Sequence, residues 1–242
     1  MKLSRFFFFS IVWIFFSVSA IKLNGQYGLR VKVNFDRNEN VNKFFNEKFG
    51  NTKNIFAPGY EIGIDYWFKL KKKRIEFLPE ISWYYGNTVI KDGFSAEANR
   101  FIFNFNTQIY ALDLKDDCNC PTFAKQGPSI NKGFFLQITP GISYQTTRFT
   151  AEESFQNVSK SNVTNNHINF HVGIGLGLDL GINELITITP MASYFFNGSK
   201  LYDLYTSPVE NISVETSFTQ LQFQVRTGFR FDYKNAAYKR RR

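Results

Sequence analysis

Apolar and polar side chains alternate residue by residue over about eight separate stretches of this 242-residue chain. Alternate side chains of a strand point to opposite faces, so each stretch describes a strand whose two faces meet different surroundings. The sixth stretch is the cleanest. Ile168, Phe170, Val172, Ile174, Leu176, Leu178 and Leu180 take one face, while His167, Asn169, His171, Gly173, Gly175, Gly177 and Asp179 take the other. A chain built of such segments is all-β, and at this length it fits one domain.

The other segments repeat the pattern. The first sets Leu29, Val31, Val33 and Phe35 against Arg30, Lys32 and Asn34, and the second sets Tyr60 to Leu70 against Glu61, Gly63, Asp65 and Lys69. In the third, Ile75, Phe77, Ile81 and Trp83 oppose Glu76, Glu80 and Ser82. The fourth, Phe101 to Ala111, is less regular, because Ile102 and Tyr110 fall on its polar face. The fifth runs from Phe134 to Gln145, the seventh from Ile186 to Phe196 and the eighth from Gln220 to Tyr233.

Connections alternate in length. Residues 36–57, 86–99, 146–166 and 197–217 read as long polar loops, whereas Lys71–Arg74 and Gly181–Glu184 read as tight turns. Outer-membrane barrels have this asymmetry, with short periplasmic turns and longer outer loops. The joint at 113–132 is long although it falls on the short-turn side. The run Phe77-Leu78-Pro79-Glu80-Ile81 echoes Ile138-Thr139-Pro140-Gly141-Ile142 and Ile188-Thr189-Pro190-Met191-Ala192. A proline inside a strand lacks a ladder donor and usually needs a bulge or an edge, and a bulge repeated at one height would bend the barrel wall.

Composition decides between a soluble and a membrane barrel. A solvated face would carry Lys and Glu throughout, yet the sixth segment offers glycines, histidines and an asparagine, and the fifth Gln, Thr, Gly and Ser. Such small uncharged groups suit the crowded interior of an eight-stranded barrel. The opposite face is Phe, Ile, Leu, Tyr and Trp on nearly every strand, within a chain that is 18% aromatic. Segments of about 9–11 residues would cross the apolar core of a bilayer.

The N-terminus fits export. Lys2 and Arg5 precede the apolar run Phe6–Phe16, and Val18-Ser19-Ala20 supplies small residues for cleavage. Residues 1–20 are expected to be a signal peptide, with a second cut possible after Gly25. The barrel is expected over 27–233 and a basic periplasmic tail over 234–242. A net charge of +9 would suit a nucleic-acid protein, but an export signal argues against that partner. The expected surroundings are outer-membrane lipids, with an envelope protein as a further partner.

In lipid an unpaired strand edge is costly, so the first and eighth segments must pair. That brings Arg30, Lys32, Arg226, Arg230 and Asp232 together, with Glu61, Asp65, Glu76 and Glu80 following around the wall. Buried charges are normally paired, so an internal cluster that fills the lumen is expected. The basic turn Lys71–Arg74 reads as solvated, or as a contact for anionic headgroups.

Three further features bear on chemistry. Cys118 and Cys120 are too few for a structural zinc site and too closely spaced for an unstrained bridge; a local disulfide or inert thiols is the reading, with an intermolecular or redox role as the alternative. His167 and His171 share a strand face, about 13 Å apart, and read as hydrogen-bonded lumen side chains. A hydrolase would need Ser or Asp beside a histidine, and Ser143 is a candidate of the right parity. No Gly-x-Ser-x-Gly motif supports it, and no cofactor or metal is expected.

The runs Tyr27–Phe35, Phe77–Tyr85 with its central Leu-Pro-Glu, and His171–Leu180 with its alternating glycines resemble the outer-membrane β-barrel family common in Bacteroidetes, whose members include porin-family and PorT-family proteins. The resemblance implies an eight-stranded barrel with both termini in the periplasm and, for the PorT branch, a link to protein secretion. The expectation is a closed antiparallel up-and-down transmembrane β-barrel of about eight strands with long outer loops and a filled lumen. It would be a non-enzymatic structural or interaction protein. A passive small-solute channel and a membrane-barrel hydrolase using His167 or His171 are the alternatives.

Overall fold

The computed structural model describes residues 26–37, 39–49, 58–70, 73–91, 94–114, 129–151, 161–183, 185–207 and 210–230. The expected signal peptide, both cysteines, the terminal tail and Asp232 lie outside them. Eight long strands dominate: β1 (Gln26–Arg37), β2 (Gly59–Lys69), β3 (Ile75–Lys91), β4 (Phe94–Ile109), β5 (Phe134–Ala151), β6 (Ser161–Leu178), β7 (Ile186–Ser207) and β8 (Glu210–Arg230). Leu180–Gly181 continues β6 after a break at Asp179. Among the described residues two helices interrupt the pattern, α1 (Glu39–Phe49) after β1 and α2 (Ser129–Gly133) before β5.

Each strand pairs antiparallel with its sequence neighbours, and β1 closes the sheet on β8 through an unbroken ladder from Gln26↔Arg230 to Arg37↔Thr219. The molecule is therefore a closed eight-stranded up-and-down barrel. Closure leaves no unpaired edge within the wall, which a barrel in lipid requires.

The strands are longer than the alternation suggests, from 11 residues in β2 to 22 in β7. Three of the four expected long loops are correspondingly largely strand. β3 and β4 stay paired up to Lys91↔Phe94, β5 and β6 up to Ala151↔Ser161, and β7 and β8 up to Ser207↔Glu210. Asn, Ser and Lys suggest loops, but β3 to β6 stay laddered to one another up to Phe94↔Ala151, with Ala96, Ala98, Thr147 and Phe149 buried on the inner face. The pleat therefore continues although few bulky apolar residues mark the outer face. β7 and β8 run on beyond Asn197 as a two-stranded ribbon. The fourth connection contains α1, whose Asn40 Nδ2 donates to the Glu215 carbonyl at 3.0 Å and so ties the helix to the β8 ribbon.

The proline bulges are also corrected. At Pro79 the β2–β3 ladder skips from Asp65↔Glu80 to Phe68↔Phe77, and at Pro140 the β4–β5 ladder skips from Asn104↔Gly141 to Thr107↔Ile138. At Pro190 the ladder to the preceding strand stops at Gly177↔Met191 and resumes at Leu180↔Ile188. The register is unchanged across each gap, so no residue is inserted. Each proline turns its missing donor toward the preceding strand, and two rungs of the ladder are lost there in place of a bulge.

The barrel is polar inside and apolar outside. Ile64 is exposed by 57% and Phe170 by 72%, with Val31 and Ile174 similar to Ile64, while Arg30 is fully buried. Ile102 and Tyr110, the residues that break the polar face of β4, do point inward. Ile102 packs with Tyr84 and Ala98, and Tyr110 with Phe135 and Met191.

Candidate functional site

The lumen is the candidate site. The pleat of β1 turns Arg30, Lys32, Asn34 and Asp36 inward. Register then decides whom they meet. Lys32 stands opposite Glu61 on β2, and Asp65 stands opposite Glu80 on β3. Arg30 stands directly opposite Arg226 on β8, an unfavourable like-charge pairing by itself. Asp65 resolves it. Arg226 binds Asp65 through two nitrogens at 2.7 and 2.8 Å, and Arg30 Nε donates to the same carboxylate at 2.7 Å.

The chain of charges continues without a break. Arg30 Nε lies 3.6 Å from Glu80 Oε2, Glu80 binds Lys32, and Lys32 Nζ binds Glu61 at 2.6 Å. Glu61 also accepts from Ser82 Oγ at 2.5 Å and Asn34 Nδ2 at 3.0 Å. Three cations thus alternate with three carboxylates along Arg226–Asp65–Arg30–Glu80–Lys32–Glu61. Such balance lets charges leave water, since each is paired and hydrogen-bonded. Room for the Arg226 guanidinium comes from glycine: a Cβ at Gly28 would lie 2.5 Å from Arg226 Nε, and one at Gly228 would lie 2.5 Å from its Nη1.

Amides fill the other half of the lumen. Asn106 Nδ2 donates to Glu80 Oε2 at 2.8 Å, Gln137 Nε2 donates to Asn106 Oδ1 at 3.0 Å, and Gln108 Nε2 donates to Gln137 Oε1 at 3.1 Å. Glycines on β6 admit bulk from across the barrel. A Cβ at Gly173 would run into the Phe195 ring, and one at Gly177 into Phe135 and Met191.

Two further ion pairs close the ends of this core. Toward the long hairpins, Arg100 binds Asp36 and its guanidinium lies 3.6 Å from the Tyr84 ring centroid. Toward the short turns, Arg74 Nη1 donates to Asp113 Oδ2 at 2.6 Å and the guanidinium lies 3.8 Å from the Tyr110 ring centroid. Tyr110, just beyond the end of β4, donates to Asp179, which also accepts from Thr189 Oγ1 at 2.5 Å. Burial, with Asp179 and Glu76 beside it, holds the Tyr110 phenol well above its ordinary pKa, so it remains a donor. Glu76 accepts from Trp67 Nε1 at 2.5 Å.

The expected cluster residues Arg30, Lys32, Glu61, Asp65, Glu80 and Arg226 therefore come together, and Glu76 sits lower, with Arg74 and Tyr110. The side chain of Arg230 and all of Asp232 lie outside the described residues. Arg74 is a correction: its sequence context suggests a solvated turn, but it is buried and fills the short-turn end of the lumen. Asp36 and Arg100 are additions. They sit at the borders of expected loops, although the inward parity of β1 and β4 runs straight through both.

His171 is buried, and its Nε2 lies 2.7 Å from Asn104 Oδ1; His167 is half-buried on the same strand. Ser143 and His171 both line an interior cavity, but it holds only about 10 Å³ of water-accessible room, near the size of one water and far below that of a lipid ester. Among the described residues, no three His, Cys, Asp or Glu side chains converge as a metal site would require.

No family model and no curated protein matches the chain. Among solved structures it is similar to Neisserial surface protein A, at 10% identity and a TM-score of 0.40 over 86% of this chain and 97% of that one. It is similar to the attachment invasion locus protein Ail of Yersinia pestis, at 9% identity and 0.43 over 86% and 100%. A major outer membrane protein of Thermus thermophilus is similar at 6% identity and 0.45 over 85% and 99%. At such values the barrel's own ladders remain the ground for its fold.

Proposed function

We propose that the chain is an integral outer-membrane protein, non-enzymatic, whose barrel is plugged by its own charged lumen and whose role is structural or one of interaction. The observation that carries this reading is the inverted polarity: paired charges inside, a predominantly apolar wall outside. The wall is also banded. β1 carries Leu29, Val31 and Val33 between Tyr27 and Phe35, and β2 carries Ile62 and Ile64 between Tyr60 and the pair Tyr66 and Phe68. Eight steps along a strand span about 27 Å, or about 21 Å along the axis at a tilt of about 40°, so the two rows of aromatics bracket most of an apolar band about 25 Å tall.

In this reading both termini and the short turns face the periplasm, and the extended β3–β6 sheet and the β7–β8 ribbon stand above the opposite surface. Those extensions, or the segment bearing Cys118 and Cys120, meet an envelope partner. The resemblance to the PorT branch would make that role accessory to protein secretion. The test is gel mobility of the outer-membrane fraction with and without boiling. A heat-dependent shift supports the reading; a soluble periplasmic protein without a shift overturns it.

A further inference from the structure

β7 differs from its two sibling strands at one outward position. Two residues beyond the repeated proline stand Ile81 on β3 and Ile142 on β5, but Ala192 on β7. Ala192 lies between Leu176 of β6 and Phe223 of β8, and Pro190 lies opposite Val225. The two small side chains form the floor of an outward groove of about 670 Å³, walled by Leu176, Leu178, Phe223 and Val225. The ladder to β6 is interrupted beside Pro190, as it is at the other two prolines, so the groove coincides with one of the places where backbone cross-links are missing.

We propose that this groove holds one acyl chain of a phospholipid from the leaflet on the short-turn side. The inference rests on the membrane reading above. Lipid tails are as apolar as leucine, so packing, not escape from water, must select the occupant. An empty trough of ligand size would forfeit dispersion contacts on three sides, and a single extended hydrocarbon chain touches the floor and both walls at once. The leaflet follows from position. Phe134, which lines the groove, begins β5, and Leu178 ends β6, both at the short-turn end. Phe134 directly follows α2, whose last turn carries Lys132, a cation suited to a phosphate near the membrane surface.

The test titrates the full mature protein in detergent with dipalmitoylphosphatidylglycerol and counts adducts by native mass spectrometry. The expected result is one saturable adduct on the wild type, weakened at least tenfold by Ala192→Phe and by Ala192→Ile, and unchanged by Ile81→Phe on β3, the strand across the barrel from β7. Ala192→Ile installs the sibling strands' own residue, so it keeps the test valid if the larger ring prevents folding; the heat shift checks each variant. A membrane-embedded, heat-shifting wild type whose adduct count ignores both Ala192 variants overturns the groove alone. A wild type found soluble overturns the membrane reading with it.

Discussion

Asp65 is the residue on which the lumen turns. It separates Arg30 from Arg226, two guanidiniums that the register places directly opposite each other. Asp65→Asn keeps the shape and removes the charge, leaving a buried pair of like cations. The expected cost is about 3–5 kcal/mol of stability, read as a lower urea midpoint of the heat-shifting form. Arg226→Met with Asp65→Leu removes both partners of the bidentate pair and is expected to cost less than Asp65→Asn alone, because replacing a buried ion pair by apolar groups is often near neutral. A larger loss in the double variant would show that the pair itself, and not the exposure of an unpaired charge, holds the strands.

Among the elements, β6 shows how a strand accommodates its neighbours. Its glycines at 173 and 177 leave space that Phe195, Phe135 and Met191 occupy. Gly177→Ala is expected to destabilise by about 1–3 kcal/mol through overpacking, and Phe135→Leu in the same chain to recover part of that loss; the same urea titration measures both. The β7–β8 ribbon behaves oppositely. A two-stranded hairpin is marginal in water; beyond Asn197 the ladder from β7 to β6 has ended, although the Asn165 amide still exchanges two hydrogen bonds with the Asp203 backbone. Replacing Tyr205–Asn211 by a two-residue Asn-Gly turn, which keeps Asp203, should leave the heat shift intact and change stability by less than about 1 kcal/mol. Loss of folding on that deletion would place the ribbon within the barrel's cooperative unit.

For the whole molecule, the continuous network from Arg226 to Glu61 and on through Asn106 to Gln108 crosses the lumen, and the cavity beside His171 has room for little more than one water. Planar bilayers containing the purified protein should show no current above background at about 100 mM salt; discrete openings would restore the small-solute channel as its function. The sequence alone determined the strand count, the two faces and the charges of the central cluster, because a period of two survives wherever one face meets protein and the other meets lipid. It did not determine strand length, because residues 86–99 and 146–166 are mostly small and polar on both faces, so the ladders that keep β3 to β6 paired there leave no apolar stripe to read. Partnership was beyond it as well: parity places Arg30, Asp65 and Arg226 inside, but only the register across two ladders brings Asp65 between them. The burial of Arg74 belongs to the same class, because a basic turn and an inward plug have one sequence, and the fold alone lays that guanidinium against Tyr110.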